Sequence, residues 1–280
     1  MMPSTQDILR DVHRALQEDI GPGDVTAALL PAHLLVDAII LSREPMFIAG
    51  IPWVDAVFHE VDASVRIEWL VQEGSWIDAP ETLCHIHGSA RSILTGERTA
   101  LNFLQTLSGT ATQTYHYVSQ ISSYPTRLLD TRKTLPGLRL AQKYAVSCAG
   151  GQNHRMGLYD AFLIKENHIT ACGSITKAVD MAKRNGKGLF VEVEVETLIE
   201  LEEALACYPD RILLDNFTLP MLKEAVRMNQ PRRSWLEASG GVAIDTIASM
   251  AATGVDYISV GALTKSVQSI DLSLLLEDNL

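Results

Sequence analysis

Between Asp130 and His168 the chain places Arg132, Lys133, Arg139, Lys143, Arg155 and Lys165, with His154 and His168, against only three acidic residues, Asp130, Asp160 and Glu166. The protein as a whole is acidic, with 23 Lys and Arg against 34 Asp and Glu and a formal net charge of −11 over 280 residues. An island of cations in a negative molecule works against the global field, and the chemistry it suits is anion binding. Arginine presents a planar fork of donors to a carboxylate or phosphate, and lysine a mobile point charge. Each cation taken alone reads most simply as a solvated surface charge. The cluster as a whole reads as a pocket.

A second set of residues is acidic. VEVEVE puts Glu192, Glu194 and Glu196 on one face of a strand, which is costly unless cations or water compensate the charges. A solvent-facing edge strand is one explanation. The other is a site: Asp215 ends the next strand segment, and Glu194 with Asp215 could hold Mg²⁺ through a carboxylate or two, water and substrate oxygens. His85 and His87 share a strand face without a third ligand in view, which favours a structural or surface role.

These groups need elements to aim them. RLLDTRK, DAFLIKE, GLFVEVEVE, RILLDNF, WLEASGG and YISVGAL are apolar runs that end in polar residues, most of them about 20 to 30 residues apart and several followed by helical patterns, as the βα units of a parallel sheet require. The polar residues fall late in these runs or just after them: Arg132 and Lys133, Lys165, Glu194, Asp215, Ser239 with Gly240 and Gly241, and Gly261. A (β/α) barrel gathers such positions at one mouth, and a doubly wound sheet gathers them at one edge. Six candidate strands fall short of eight, so an incomplete or atypical barrel is expected.

Ahead of them, residues 5–18 read as an amphipathic helix broken at Gly21-Pro22-Gly23, and 34–90 as short β-type runs. A helix is expected from Gly96, stopping at Gly109, with Arg98, Asn102 and Gln105 on its polar side. Thr197 with Glu200 reads as a capping box, and Gly254 as a helix stop. The terminal SIDLSLLLED is expected to return to the first domain.

Composition narrows the function class. The net negative charge argues against general nucleic-acid or anionic-membrane binding. Cys84, Cys148, Cys172 and Cys207 are widely spaced with no CxxC pair, which predicts reduced thiols rather than a disulfide framework or zinc knuckle. No apolar run reaches membrane-spanning length and the start lacks a targeting pattern, so a cytoplasmic protein is expected.

DTRKTLPGLR, followed by GGQNHRMGLYDAFLIKENHI, closely resembles the quinolinate phosphoribosyltransferases, and EDIGPGDVT is similar to a further family segment. The resemblance covers nearly the whole chain. One departure is Ala149, where the family usually has a third glycine. The resemblance implies an α/β protein: an N-terminal α/β sandwich-like domain over 1–108, joined by 268–280, followed by an incomplete (β/α) barrel over 109–267. It implies transfer of phosphoribosyl from phosphoribosyl pyrophosphate to quinolinate with loss of CO₂, giving nicotinate mononucleotide and pyrophosphate in NAD biosynthesis, with Mg²⁺.

By the same resemblance Arg132, Arg155 and Arg98 of a neighbouring subunit clamp quinolinate in a homodimer or an assembly of dimers. Thr131, Lys133, His154 and Lys165 extend the lining, with Lys133, Lys165, Glu194 and Asp215 nearest the chemistry. Ser239, Gly240, Gly241, Val260, Gly261 and Ala262 cradle the sugar phosphate, although glycines at strand ends can equally be plain turns. The alternatives are a related transferase with another anionic acceptor such as nicotinate, or a non-catalytic anion-binding relative.

Overall fold

The structure, a computed structural model, describes residues 2–186 and 188–277. In chain order the elements are α1 (Thr5–Ile20), β1 (Leu35–Ser42), β2 (Met46–Phe47), α2 (Ile51–Val61), β3 (Arg66–Trp69), β4 (Trp76–Ile77), β5 (Glu81–Ser89) and α3 (Ala90–Gln120). Then come β6 (Arg127–Leu129), α4 (Arg139–Cys148), β7 (Ala161–Ile164), α5 (Glu166–Cys172), α6 (Ile175–Asn185) and β8 (Phe190–Val195). The rest are α7 (Leu198–Cys207), β9 (Arg211–Asp215), α8 (Leu219–Met228), β10 (Trp235–Ser239), α9 (Ile247–Ala251), β11 (Tyr257–Ser259), α10 (Ala262–Lys265) and β12 (Leu272–Leu276).

The chain divides into two units, Met1–Tyr115 with Thr134–Gly150 and Leu263–Leu280, and His116–Lys133 with Gly151–Ala262. Residue 108, the expected boundary, lies within α3, and α4 belongs to the first unit.

The first unit carries an antiparallel sheet in the order β12-β1-β5-β3. Alternation in β1 buries Ala38, Ile40 and Ser42, and the core beneath contains Trp53, Phe58, Ile86, Leu101, Leu104 and Leu107. The C-terminal run does return, with Ser42 paired to Leu272 and Ala38 to Leu276. Two helices here were not foreseen. IPWVDAVFHEV continues the apolar composition of the strands before it, yet forms α2; the Glu73 carboxylate accepts the N–H groups of Gly50 and Ile51 (2.7 and 3.1 Å) and so caps its start from a distance. In α4 the polar Gln142 and Lys143 are fully buried, which hides its helical pattern.

The helix expected to stop at Gly109 runs unbroken from Ala90 to Gln120. Gly109 is there for close approach, because a Cβ would lie 2.0 Å from the Gln268 carbonyl oxygen. Ala149 needs no positive φ, being at φ −89°, ψ 16°, so the glycine expected there is dispensable.

The second unit is a parallel sheet of six strands, β6-β11-β10-β9-β8-β7, matching the six expected runs. It is an open barrel: β6 and β7 are its two ends, and Gln152 bridges to Leu129 alongside β6. Val191, Val193, Val195, Ile212, Leu214, Leu236, Ala238 and Ile258 are buried at alternate positions. The opposite parity carries Glu192 and Glu194, Arg211 and Asp215, Glu237 and Ser239. The Thr197–Glu200 capping box is present, and Gly254 at φ +93° follows α9.

Candidate active site

The strand register explains which groups meet. On β8 and β9 Glu192 pairs with Arg211 and Glu194 with Leu213, so Asp215 stands two residues further along the same face. β9 and β10 align Asp215 with Ser239. The carboxyl ends of neighbouring strands therefore present Glu194, Asp215 and Ser239 together, and the same face holds Glu192 and Arg211 one level below Glu194, with Glu237 level with Glu194 in register. β8 lies between β7 and β9, so the edge-strand explanation of its acidic face does not apply.

At the upper level Lys165, just before α5, donates to Glu194 and supplies the cation that this carboxylate needs. The Lys165 N–H is held by His168 Nδ1 at 3.0 Å. Glu194 also borders a cleft of about 240 Å³ with Glu166, Thr170 and Glu200. Asp215 is oriented by Asn216, whose Nδ2 donates to Asp215 Oδ2 at 2.8 Å while its N–H binds the Ser239 carbonyl at 2.9 Å. Asn216 has φ +56°, a conformation few side chains other than Asn tolerate. Gly240, at φ +95°, makes room for it: a Cβ there would lie 2.1 Å from Asn216 Oδ1.

After β6, Thr131 Oγ1 accepts the Lys133 N–H at 3.1 Å. A Cβ on Gly261 would meet Lys133 Cδ at 3.0 Å and Thr131 Oγ1 at 3.5 Å, so Thr131, Lys133 and Gly261 converge. Val260 is buried, with its N–H on the Leu129 carbonyl, and Ala262 begins α10. Gly241, at φ +59°, has open space where a side chain would be.

Arg132 and Arg155 come close enough to repel. Burial first, and then the Arg132 guanidinium, hold the pKa of Arg155 below its ordinary value. Arg155 Nη1 donates to the Ala161 carbonyl at 3.2 Å, and its Nε is buried without a hydrogen-bond partner. Asp130, fully buried, accepts from Asn153 Nδ2 (2.7 Å) and the His154 N–H (2.8 Å), fixing the loop that carries both His154 and Arg155.

His154, expected in the lining, has a side chain that is 8% exposed. Its Nδ1 accepts the Arg155 N–H at 2.7 Å, which places the ring proton on Nε2, 2.8 Å from Glu192. Both ring nitrogens thus face groups inside the protein.

Near it lie Glu192, already singled out on its strand face, and two groups that sequence reasoning missed, Glu237 and Arg211. Glu192 and Glu237 are 1% and 0% exposed, and Arg211 Nη1 donates to Glu237 at 2.7 Å. Burial raises both carboxyls to about 7; the Glu192 charge adds to the rise at Glu237, while a hydrogen bond with Glu237 opposes it at Glu192. The signal was parity: Glu237 and Arg211 share the pleat of Ser239 and Asp215.

Arg98 is exposed on α3 in the first unit, as are His85 and His87 on β5, which pair with Glu277 (3.6 Å) and Asp37 (2.7 Å). Beside Arg98, Thr99 and Asn102 border a cleft of about 550 Å³ together with Arg14 and Glu18 of α1. Of the remaining cations, Arg139 and Lys143 lie on α4. All four cysteines are free, and among the described residues no helix is long and apolar enough to cross a membrane.

The chain matches the family profiles described as the quinolinate phosphoribosyl transferase N-terminal domain over residues 24–108 and C-terminal domain over 110–275. It belongs to the quinolinate phosphoribosyltransferase family. It is 42% identical to the nicotinate-nucleotide pyrophosphorylase [carboxylating] of Mycobacterium leprae, over 96% of this chain and 97% of that protein. The solved structure of the nicotinate-nucleotide pyrophosphorylase from Francisella tularensis superposes with a TM-score of 0.95 at 46% identity, covering 99% and 98% of the two chains. The human nicotinic acid phosphoribosyltransferase structure, at 11% identity, a TM-score of 0.63 and coverage of 99% of this chain and 74% of that one, shares the fold alone.

Proposed function

We infer that this protein is a decarboxylating quinolinate phosphoribosyltransferase of NAD biosynthesis, converting quinolinate and phosphoribosyl pyrophosphate to nicotinate mononucleotide, pyrophosphate and CO₂. Family membership sets the reaction class, and the observation that carries the acceptor assignment is the Arg132–Arg155 pair. The Arg132 charge works against a second cation at Arg155, which Glu192 and Asp160 favour, and a pyridine dicarboxylate brings two negative groups to this pair. Arg98 of a neighbouring copy completes the clamp, which makes the working unit a homodimer or an assembly of dimers.

The donor set suits Mg²⁺. Glu194 and Asp215 are hard oxygen ligands on adjacent strand ends, and neither joins a cluster of three protein ligands among the described residues. A metal there would be completed by water and substrate oxygens, as Mg²⁺ prefers. When bound, it supplies positive charge to the departing pyrophosphate. Lys133 and Lys165 add theirs, Lys165 exchanging its bond to Glu194 for one to the donor substrate. Thr131, Ser239, Gly240, Gly241 and the 260–262 turn hold the donor by hydroxyl and main-chain N–H groups. The pyridine nitrogen, aimed by the arginines, attacks ribose C1 as the C1–oxygen bond breaks. The quaternised ring then accepts the electron pair left by the departing CO₂, and a proton takes its place on carbon.

The cytosol fits the unpaired thiols. A mass-balance assay of the purified protein with quinolinate, phosphoribosyl pyrophosphate and Mg²⁺ should yield CO₂ and pyrophosphate in equal amounts. Turnover of nicotinate without gas release would move the acceptor, and binding without turnover would remove the enzyme assignment.

A further inference from the structure

We propose that Arg211, Glu237 and Glu192 are positioning residues for Arg155, acting through His154. The inference rests on the reading of Arg155 as an anchor of the acceptor. It deepens that reading by naming what aims the guanidinium.

The chain of contacts starts at a fixed point. The Arg211 guanidinium carbon lies 4.3 Å from the centroid of the Tyr257 ring and 5.1 Å from that of Phe190, and Nη1 reaches Glu237 at 2.7 Å. Glu237 lies 3.6 Å from His154 Nε2, and Glu192 2.8 Å from the same atom. The far side of the ring, Nδ1, accepts the main-chain N–H of Arg155. A side chain that bonds the N–H of the next residue does so in one narrow range of ring orientations. If the ring turns away from Glu192 it also releases Arg155. Asp130 pins the His154 N–H independently, so the loop is held from two directions.

Burial cost argues that this arrangement serves more than stability. Ionisable groups taken out of water repay their desolvation poorly, and well-packed apolar residues would hold a sheet interior at least as firmly. Arg211 and Glu192 are at the amino ends of β9 and β8 or close to them, while the substrate-facing residues are at the carboxyl ends. Glu192 also acts on Arg155 directly by its charge, whereas Arg211 and Glu237 reach it by way of His154.

Steady-state kinetics of the full chain test this, with folding checked by circular dichroism and thermal melting. Arg211→Met should raise KM for quinolinate about ten- to hundredfold, the effect of slight misplacement of an anchoring group. KM for phosphoribosyl pyrophosphate should stay within about twofold, and Arg211→Lys should recover part of the loss. Arg155→Lys should itself raise quinolinate KM, and adding Arg211→Met to it should raise KM no further, because both act on one contact. Glu237→Gln makes the same comparison if Arg211→Met does not fold. Additive losses in the double variant, or equal rises in both KM values, would overturn the positioning role alone. An unchanged quinolinate KM in Arg155→Lys would remove the acceptor role of Arg155 and this proposal with it. A stoichiometric divalent ion bound by His154, Glu192 and Glu237 in metal analysis of the purified chain would also refute it.

Discussion

At the level of single residues, the most telling group is Glu237, an acid in the middle of an apolar strand. Burial first, and then the charge of Glu192, raise its pKa from 4.5 to about 7. The folded protein thus holds this proton more tightly than the unfolded chain does. The resulting contribution to stability is full below about pH 4.5 and is lost as pH rises to about 7. Glu237→Gln has no such proton to lose. The melting temperature of the natural protein should therefore fall relative to that variant across this window, and a constant difference between the two would contradict the assignment. The sequence made the upper level of the site legible, since Lys165, Glu194 and Asp215 stand where apolar runs end. It did not disclose Glu237 and Arg211. These are single polar residues within or at the start of strands, and only the pleat shows that they face the same way. The bond from the Arg155 N–H to the His154 ring is likewise a local contact that composition cannot show.

Among elements, glycines separate two kinds of constraint. A Cβ at Gly109 would meet a carbonyl oxygen in the middle of α3, so Gly109→Ala should destabilise the first unit by about 1–3 kcal/mol, as overpacking does. Thermal melting checks this, and an unchanged melting temperature would show that the contact yields freely. Under the proposed role of Asp215 in holding Mg²⁺, Gly240→Ala strikes the chemistry instead. It displaces Asn216, which orients Asp215, so the concentration of Mg²⁺ needed for half-maximal rate should rise about tenfold or more, as when a group supporting a metal ligand is lost. A Mg²⁺ requirement left untouched would detach Asn216 from the metal. The six parallel strands were readable because each couples an apolar run to a polar end at a regular spacing. The lengths and limits of helices were less so. Gly109 carries a stop signal in sequence and a packing role in space, α2 has the composition of its neighbouring strands, and α4 buries the polar residues that would mark a helix as amphipathic.

For the molecule as a whole, the question is where Arg98 works. If it serves the site of a neighbouring copy, chains carrying Arg98→Ala and chains carrying Lys165→Ala, each nearly inactive alone, should regain partial activity when mixed. Random pairing of equal amounts makes about half the dimers mixed, each with one intact site, so roughly a quarter of the natural activity is expected. No recovery in verified mixed dimers would return Arg98 to its own chain. The first unit also has an order of assembly written into its sheet. Its outer strand comes from residues 272–276 and lies against residues 38–42. A ribosome must therefore deliver the chain through residue 276 before β1 loses its open edge, and until then the nascent chain displays a strand able to pair with any other. Premature termination shortly before Leu272 would expose that edge permanently, giving a protein that retains every proposed substrate contact yet is prone to self-association.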